Sequence, residues 1–183
     1  MKGLVFTTFY SFVEEGHGAD LLDEVIAASG VPNDGAYTSV GTYPFEQMVA
    51  LVIAASKLTG QPLPALLESF GGYCFGCWVK TLPAHFEGRC LFDVLANIDD
   101  FHESEVRKLH ADAELPSFRV ESRDARRLTL RYISCKPLAD LATGVIKRAA
   151  VHLNDPVSVR YETIPDDAGN HMRFIIERSG APV

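Results

Sequence analysis

One histidine of this sequence stands where an apolar side chain belongs. In "CLFDVLANIDDFHESEVRKLH" a helix turning about 100° per residue puts Leu91, Leu95, Ile98, Val106 and Leu109 on one stripe, with His102 in its middle. An imidazole in apolar surroundings must bond both ring nitrogens or bear a desolvation cost on the order of a few kcal/mol. Two readings meet that demand. One is a core histidine bonded to a backbone carbonyl. The other is a single axial ligand to a metal or to a haem, which brings its own four equatorial nitrogens. A bare zinc centre fits less well, because Glu105 lies beside the stripe and Val106 takes the i+4 place where a second ligand would stand. Neither GxSxG nor HExxH occurs, so nucleophilic and metalloprotease chemistry lack their motifs.

Two further groups carry chemistry. In "LRYISCKPLAD" the residues Tyr132, Ser134 and Lys136 alternate, so on a strand they leave one face and offer two hydroxyls and a cation to a carboxylate. Alternating polar residues also mark the wet side of a half-exposed strand, and that reading stays open beside the first. "CFGC", from Cys74 to Cys77, has the spacing of a redox or zinc half-site without a second pair. Small buried packing residues or a thiol-redox function are the alternatives there.

The elements that must position these residues follow from periodicity. A helix from Gly3, a break at Gly16 and Gly18, and a second helix "ADLLDEVIAASG" open the chain; "YPFEQMVALVIAASKLTG" is a third. "PLPALLESFGGYCFGCWVKTL" begins a fourth and runs into Gly71, Gly72 and Gly76, where close backbone approach is expected. The stretch carrying His102 reads as one long fifth helix. Beyond Pro116 the period changes to two: "SFRVESRDARRLTLRYIS" and "PVSVRYETIPDDAGNHMRFIIER" are hairpins, with "KPLADLATGVIKRAAVHLN" a helix between them. The expected class is α+β, an N-terminal helical subdomain followed by a four-stranded antiparallel sheet with an inserted helix, and residues 1–183 read as one domain.

Composition narrows the partners. A formal charge of −7, with 47% hydrophobic and 22% charged residues, gives no support to nucleic-acid or anionic-membrane binding, and no run approaches the length of a bilayer span. The N-terminus reads as mature structure, and four scattered cysteines read as a reduced, cytoplasmic protein.

On "MKG" with its aromatic, apolar helix, "FVEEGHGADLLDEVI", "FHESEVRKLHADAELPSF" and "YISCK", the sequence resembles the haem nitric oxide/oxygen-binding family, H-NOX, across essentially its whole length. The resemblance implies haem b between the helical part and the sheet. It implies His102 as the proximal iron ligand, Pro116 as the proline pressing on the haem, and Tyr132, Ser134 and Lys136 as the propionate-binding motif. Lys136 departs from the family's arginine; it keeps the charge and loses the planar fork, so weaker haem retention is expected.

Family members that hold oxygen place a tyrosine after this motif. This sequence has Leu141 there, nine positions beyond Tyr132, and Val145 one turn later, while Val5, Phe9 and Trp78 match other pocket-lining positions. An apolar pocket implies binding of NO and CO without stable O₂, and release of His102 as the switch, unless Tyr10, Tyr73 or the Trp78 ring nitrogen supplies a hydrogen bond. Family zinc cysteines are missing at Leu138, Ala139, Leu141 and "NHMRF", so no structural zinc is expected, and His17, His85, His110, His152 and His171 are left as surface or capping residues. The resulting expectation is a stand-alone, non-enzymatic gas sensor signalling to a separate histidine kinase or cyclic-di-GMP enzyme. The alternatives are a Cys74/Cys77 thiol-redox protein and a haem-free interaction module of the same fold.

Overall fold

The computed structural model describes residues 1–109, 111–165 and 171–179. His110, the Leu109 side chain and residues 166–170 of the expected "PDDAGN" turn lie outside the described residues. The chain divides into two compact units, Met1–Phe70 and Gly71–Val183.

In the first unit α1 (Gly3–His17) and α2 (Ala19–Ser29) are joined at Gly18, and α3 (Phe45–Thr59) follows. Gly18 has φ 92°, a backbone state that side chains disfavour, whereas Gly16 stays inside α1 and breaks nothing. The helices bury Phe6, Phe9, Val13, Val25 and Leu51. Phe9 meets Phe70 edge to face at 5.1 Å, and Phe6 tilts over Tyr37 at 4.3 Å, geometries that suit the ring quadrupole.

The boundary between the units falls inside α4 (Leu63–Thr81), which continues through all three glycines rather than ending at them. Of these, Gly71 carries the close approach: a Cβ there would sit 2.0 Å from the carbonyl oxygen of Leu141, which belongs to α8 (Ala139–His152). A Cβ at Gly76 would meet nothing within 4 Å.

The expected fifth helix is broken. It comprises α5 (Leu91–Ala96), α6 (Ile98–Phe101), a π-helical turn over His102–Val106 and α7 (Arg107–Leu109). Asn97 interrupts it at φ −110°, ψ 19°, and its side-chain amide donates to the Asp93 carbonyl at 2.8 Å, serving an acceptor that regular helix would have served. The wide turn at His102 then shifts the angular phase of everything after it, so the regular wheel holds only up to that residue. The start of α5 is anchored by Asp155, which accepts from the Leu91 amide at 3.2 Å and takes both ends of the Arg178 guanidinium at 2.7 Å.

Both expected hairpins are present. The strands β1 (Ser117–Arg123), β2 (Arg127–Ile133), β3 (Val157–Thr163) and β4 (His171–Arg178) form an antiparallel sheet in the order β1-β2-β4-β3, with α8 inserted between the hairpins. Alternation on β2 buries Leu128, Leu130 and Tyr132 beside Phe174 and Ile176 of β4, and Ile146 and Ala149 of α8 belong to the same core. "RDARR" makes the tight turn: the Asp124 carboxylate accepts from the amides of Arg126 and Arg127 at 2.7 and 2.8 Å.

The two glycines of α4 separate packing from propensity. Gly71→Ala is expected to cost about 2 kcal/mol or more, because backbone of α8 must move. Gly76→Ala is expected to gain about 0.5–1 kcal/mol from helix propensity alone. Urea unfolding midpoints of the two variants check both signs.

Candidate functional site

The second unit assembles its site from the turn bearing His102, the end of β2 and the bend that follows. Asp99, one turn before His102, accepts from the Ser117 hydroxyl at 2.7 Å and the Phe118 amide at 2.8 Å. The helical segment is thus fastened to the first residues of β1 immediately upstream of the histidine. The ring of His102 lies 6.5 Å from Phe118, whose ring lies 5.0 Å from Tyr132.

The Nδ1 atom of His102 is buried and has no hydrogen-bond partner. A buried unbonded polar nitrogen costs about 1–3 kcal/mol and is uncommon in folded proteins. Burial is the largest influence on the ring and holds its pKa below the usual histidine value; the Asp99 charge and the Pro116 backbone pull the other way. The outcome is a neutral imidazole, the form that ligates metals. Nδ1 thus lacks a partner, while the Pro116 backbone still hydrogen-bonds to the ring, so the backbone-bonded core histidine and the ligand both remain open on this geometry.

The propionate-type motif differs from the strand geometry expected for it. Tyr132 is on β2, but the strand ends at Ile133, and Ser134 and Lys136 stand in the bend beyond it. The Ser134 hydroxyl accepts from the Lys136 amide at 3.1 Å, which folds the chain over the strand end. Nor is this a wet strand face: Tyr132 is 2% and Lys136 8% exposed. Burial raises the Tyr132 pKa, and a hydrogen bond with Ser134 opposes the rise. The Lys136 ammonium donates to Glu114 at 2.5 Å and to the Cys135 sulfur at 3.4 Å. Burial is the largest single influence and lowers the Lys136 pKa, but the bonds and charges of Glu114 and Cys135 together outweigh it and raise the pKa, so the cation persists.

His102, Pro116, Tyr132, Ser134 and Lys136 are thus brought into one connected neighbourhood. Its partly buried imidazole, two hydroxyls and cation have the chemistry for an iron and its acidic substituents. Leu141 and Val145 lie on α8, both partly buried, and Trp78 on α4 is 38% exposed. In the first unit Phe9 is fully buried and Val5 partly so. Asp99 and Glu114 escape sequence reasoning. Asp99 was visible only as an acid one turn before His102, and Glu114 only as a charge two residues before Pro116.

The cysteine pair sits on α4 in a helical setting. Cys74 is buried and its thiol is pushed up to about 12, chiefly by desolvation and then by Cys77. A thiol so placed is a poor nucleophile at neutral pH. Among the described residues no group of three His, Cys, Asp or Glu side chains could hold a metal ion. Among them, too, no single helix is long and apolar enough to cross a membrane.

These features define a helical and antiparallel-sheet domain, and similarity to known proteins narrows its class. The sequence matches the Haem-NO-binding family over residues 2–161, and the chain belongs to that H-NOX family of haem-based gas-sensing domains. Its fold is similar to the unliganded Fe(II) H-NOX protein from K. algicida, with 32% identity, TM-score 0.89 and coverage of 99% of this chain and 98% of that one. It is also similar to the S. oneidensis H-NOX protein in its Fe(II)NO state, with 23% identity, TM-score 0.85 and coverage of 98% and 100%. A third similar structure is an oxygen-binding H-NOX domain related to soluble guanylate cyclases, in its oxygen complex, with 20% identity, TM-score 0.81 and coverage of 98% and 96%. No curated protein sequence matches the chain.

The depressed pKa of His102 fixes the sign of a pH effect in the haem-free chain. Below about 6.5 the unfolded imidazole takes up a proton that the folded one resists, so stability present above that value is lost as pH falls toward the folded pKa. Urea titrations at about pH 7.5 and about pH 5.5 are expected to show this loss, and His102→Phe to reduce it. Some slope remains in the variant from His85, whose pKa is lowered chiefly by burial.

Proposed function

We propose that this chain is a nitric oxide sensor that binds haem b through His102. The buried Nδ1 of a neutral His102, which has no hydrogen-bond partner, carries the reading, with the Pro116 backbone the polar group nearest the ring. Tyr132, Ser134 and Lys136 would hold the propionates, and Pro116, immediately before β1, would press on the macrocycle. When bound, haem would supply a ferrous iron able to take up a diatomic gas.

Residues of the chain select the gas. By family resemblance the gas-facing residues are Val5 and Phe9 in the first unit and Trp78, Leu141 and Val145 in the second, and four of the five have purely hydrocarbon side chains. Three candidate donors on α1 are already committed: Thr7 and Thr8 donate to the Leu4 carbonyl at 3.1 and 2.7 Å, and Tyr10 to the Gly35 carbonyl at 2.9 Å. Bound oxygen draws negative charge and needs a donated hydrogen bond more than NO or CO does. The fold does not choose between gases, since similar structures include an NO complex and an oxygen complex. The choice rests on these side chains.

His102 also couples the site to the rest of its unit. It begins the π turn, directly after the segment that Asp99 ties to Ser117 and Phe118. Displacement of the imidazole would strain that tie and shift the turn. Residues 1–183 are read as one cytoplasmic signalling domain whose activity is sensing rather than catalysis. The receiver, by family resemblance, is a separate histidine kinase or cyclic-di-GMP enzyme. A thiol-redox function is disfavoured by the raised Cys74 pKa.

Purified protein mixed with haem is expected to develop a Soret band that His102→Ala abolishes or makes dependent on added imidazole. The reduced wild type is expected to change spectrum with NO and with CO but to form no stable complex in air. A featureless spectrum would contradict haem binding, and a stable oxygen complex would contradict the gas selectivity.

A further inference from the structure

We propose that Glu114 limits how tightly this chain retains haem, because its carboxylate holds the Lys136 ammonium that a propionate would otherwise take. The inference rests on the reading that Lys136 faces a propionate, and it concerns a residue outside the motif. Lys136 is 8% exposed, so water does little to solvate its charge, and Glu114 supplies the counter-charge at 2.5 Å. Glu114 itself reaches out from solvent, with its side chain 69% exposed. The carboxylate can therefore leave cheaply, while the ammonium cannot.

Chemistry makes the two acids compete. An arginine at this position would present a planar fork with five donors, enough to serve two carboxylates from separate edges. A lysine presents one compact charge, and two carboxylates crowded onto it repel each other. Haem loading in this chain thus exchanges one carboxylate for another at Lys136. The exchange has a mechanical side: Glu114 lies between the turn bearing His102 and Pro116, so its release loosens the segment that joins the iron-side histidine to β1. Glu114 is on this account a positioning residue that acts through Lys136.

The experiment measures transfer of haem from the reconstituted chain to excess apomyoglobin. Glu114→Gln is expected to slow transfer about fivefold, a modest factor because Glu114 is exposed and screened. In a Lys136→Arg background the same substitution is expected to have a smaller effect, since the fork serves both acids. The thermal midpoint of the haem-free chain separates this from a purely structural bond. Glu114→Gln should lower that midpoint while improving haem retention, whereas loss of a structural bond alone would worsen both. Unchanged or faster transfer in Glu114→Gln overturns the inference. A wild type that takes up no haem overturns the haem reading itself, and does so before any variant is compared.

Discussion

Everything at the candidate site depends on an imidazole with a buried, unbonded nitrogen. Burial makes protonation of His102 unfavourable, and Nδ1 has no hydrogen-bond partner. Such a group persists only if the surrounding structure fixes it in place or something else completes it. The fixing is visible: Asp99 bonds to the first two residues of β1, the π turn begins at His102, and Phe118 and Tyr132 wall the neighbourhood. The chain belongs to the Haem-NO-binding family, and haem is the group proposed to complete it.

The same logic connects the fold to the site. Gly71 lets α8 approach α4 closely, and α8 carries Leu141 and Val145. Asp155 and Arg178 tie the beginning of α5 to the far end of β4, so the segment leading to His102 is held at its start by the sheet and again at Asp99. The sheet is therefore more than a cover for a core; it sets where the histidine-bearing segment begins and where it must stop.

Much of this was legible from local pattern. The first four helices, the two hairpins and the inserted helix follow from hydrophobic period and turn chemistry, which are local properties. The long fifth helix was not legible as it stands, because its wheel is consistent with regular helix while Asn97 and the π turn are decided by competing local hydrogen bonds and by the tie to β1. Ser134 and Lys136 alternate like strand residues, yet the Ser134 hydroxyl captures the Lys136 amide and bends the chain away. Glu114 and Lys136 are 22 residues apart, and no periodicity announces such a pair. His102 itself was conspicuous in sequence; what sequence left open was whether its ring nitrogens were bonded.

The central claim is that His102 is the axial ligand, and resonance Raman spectroscopy of the reduced, gas-free, haem-loaded chain tests it most directly. The account predicts an iron–histidine stretching band that shifts when the histidine ring nitrogens are isotopically labelled. It also predicts that the band disappears in His102→Gly and that added imidazole restores an iron–imidazole band. An iron–histidine band that survives in His102→Gly would contradict the account.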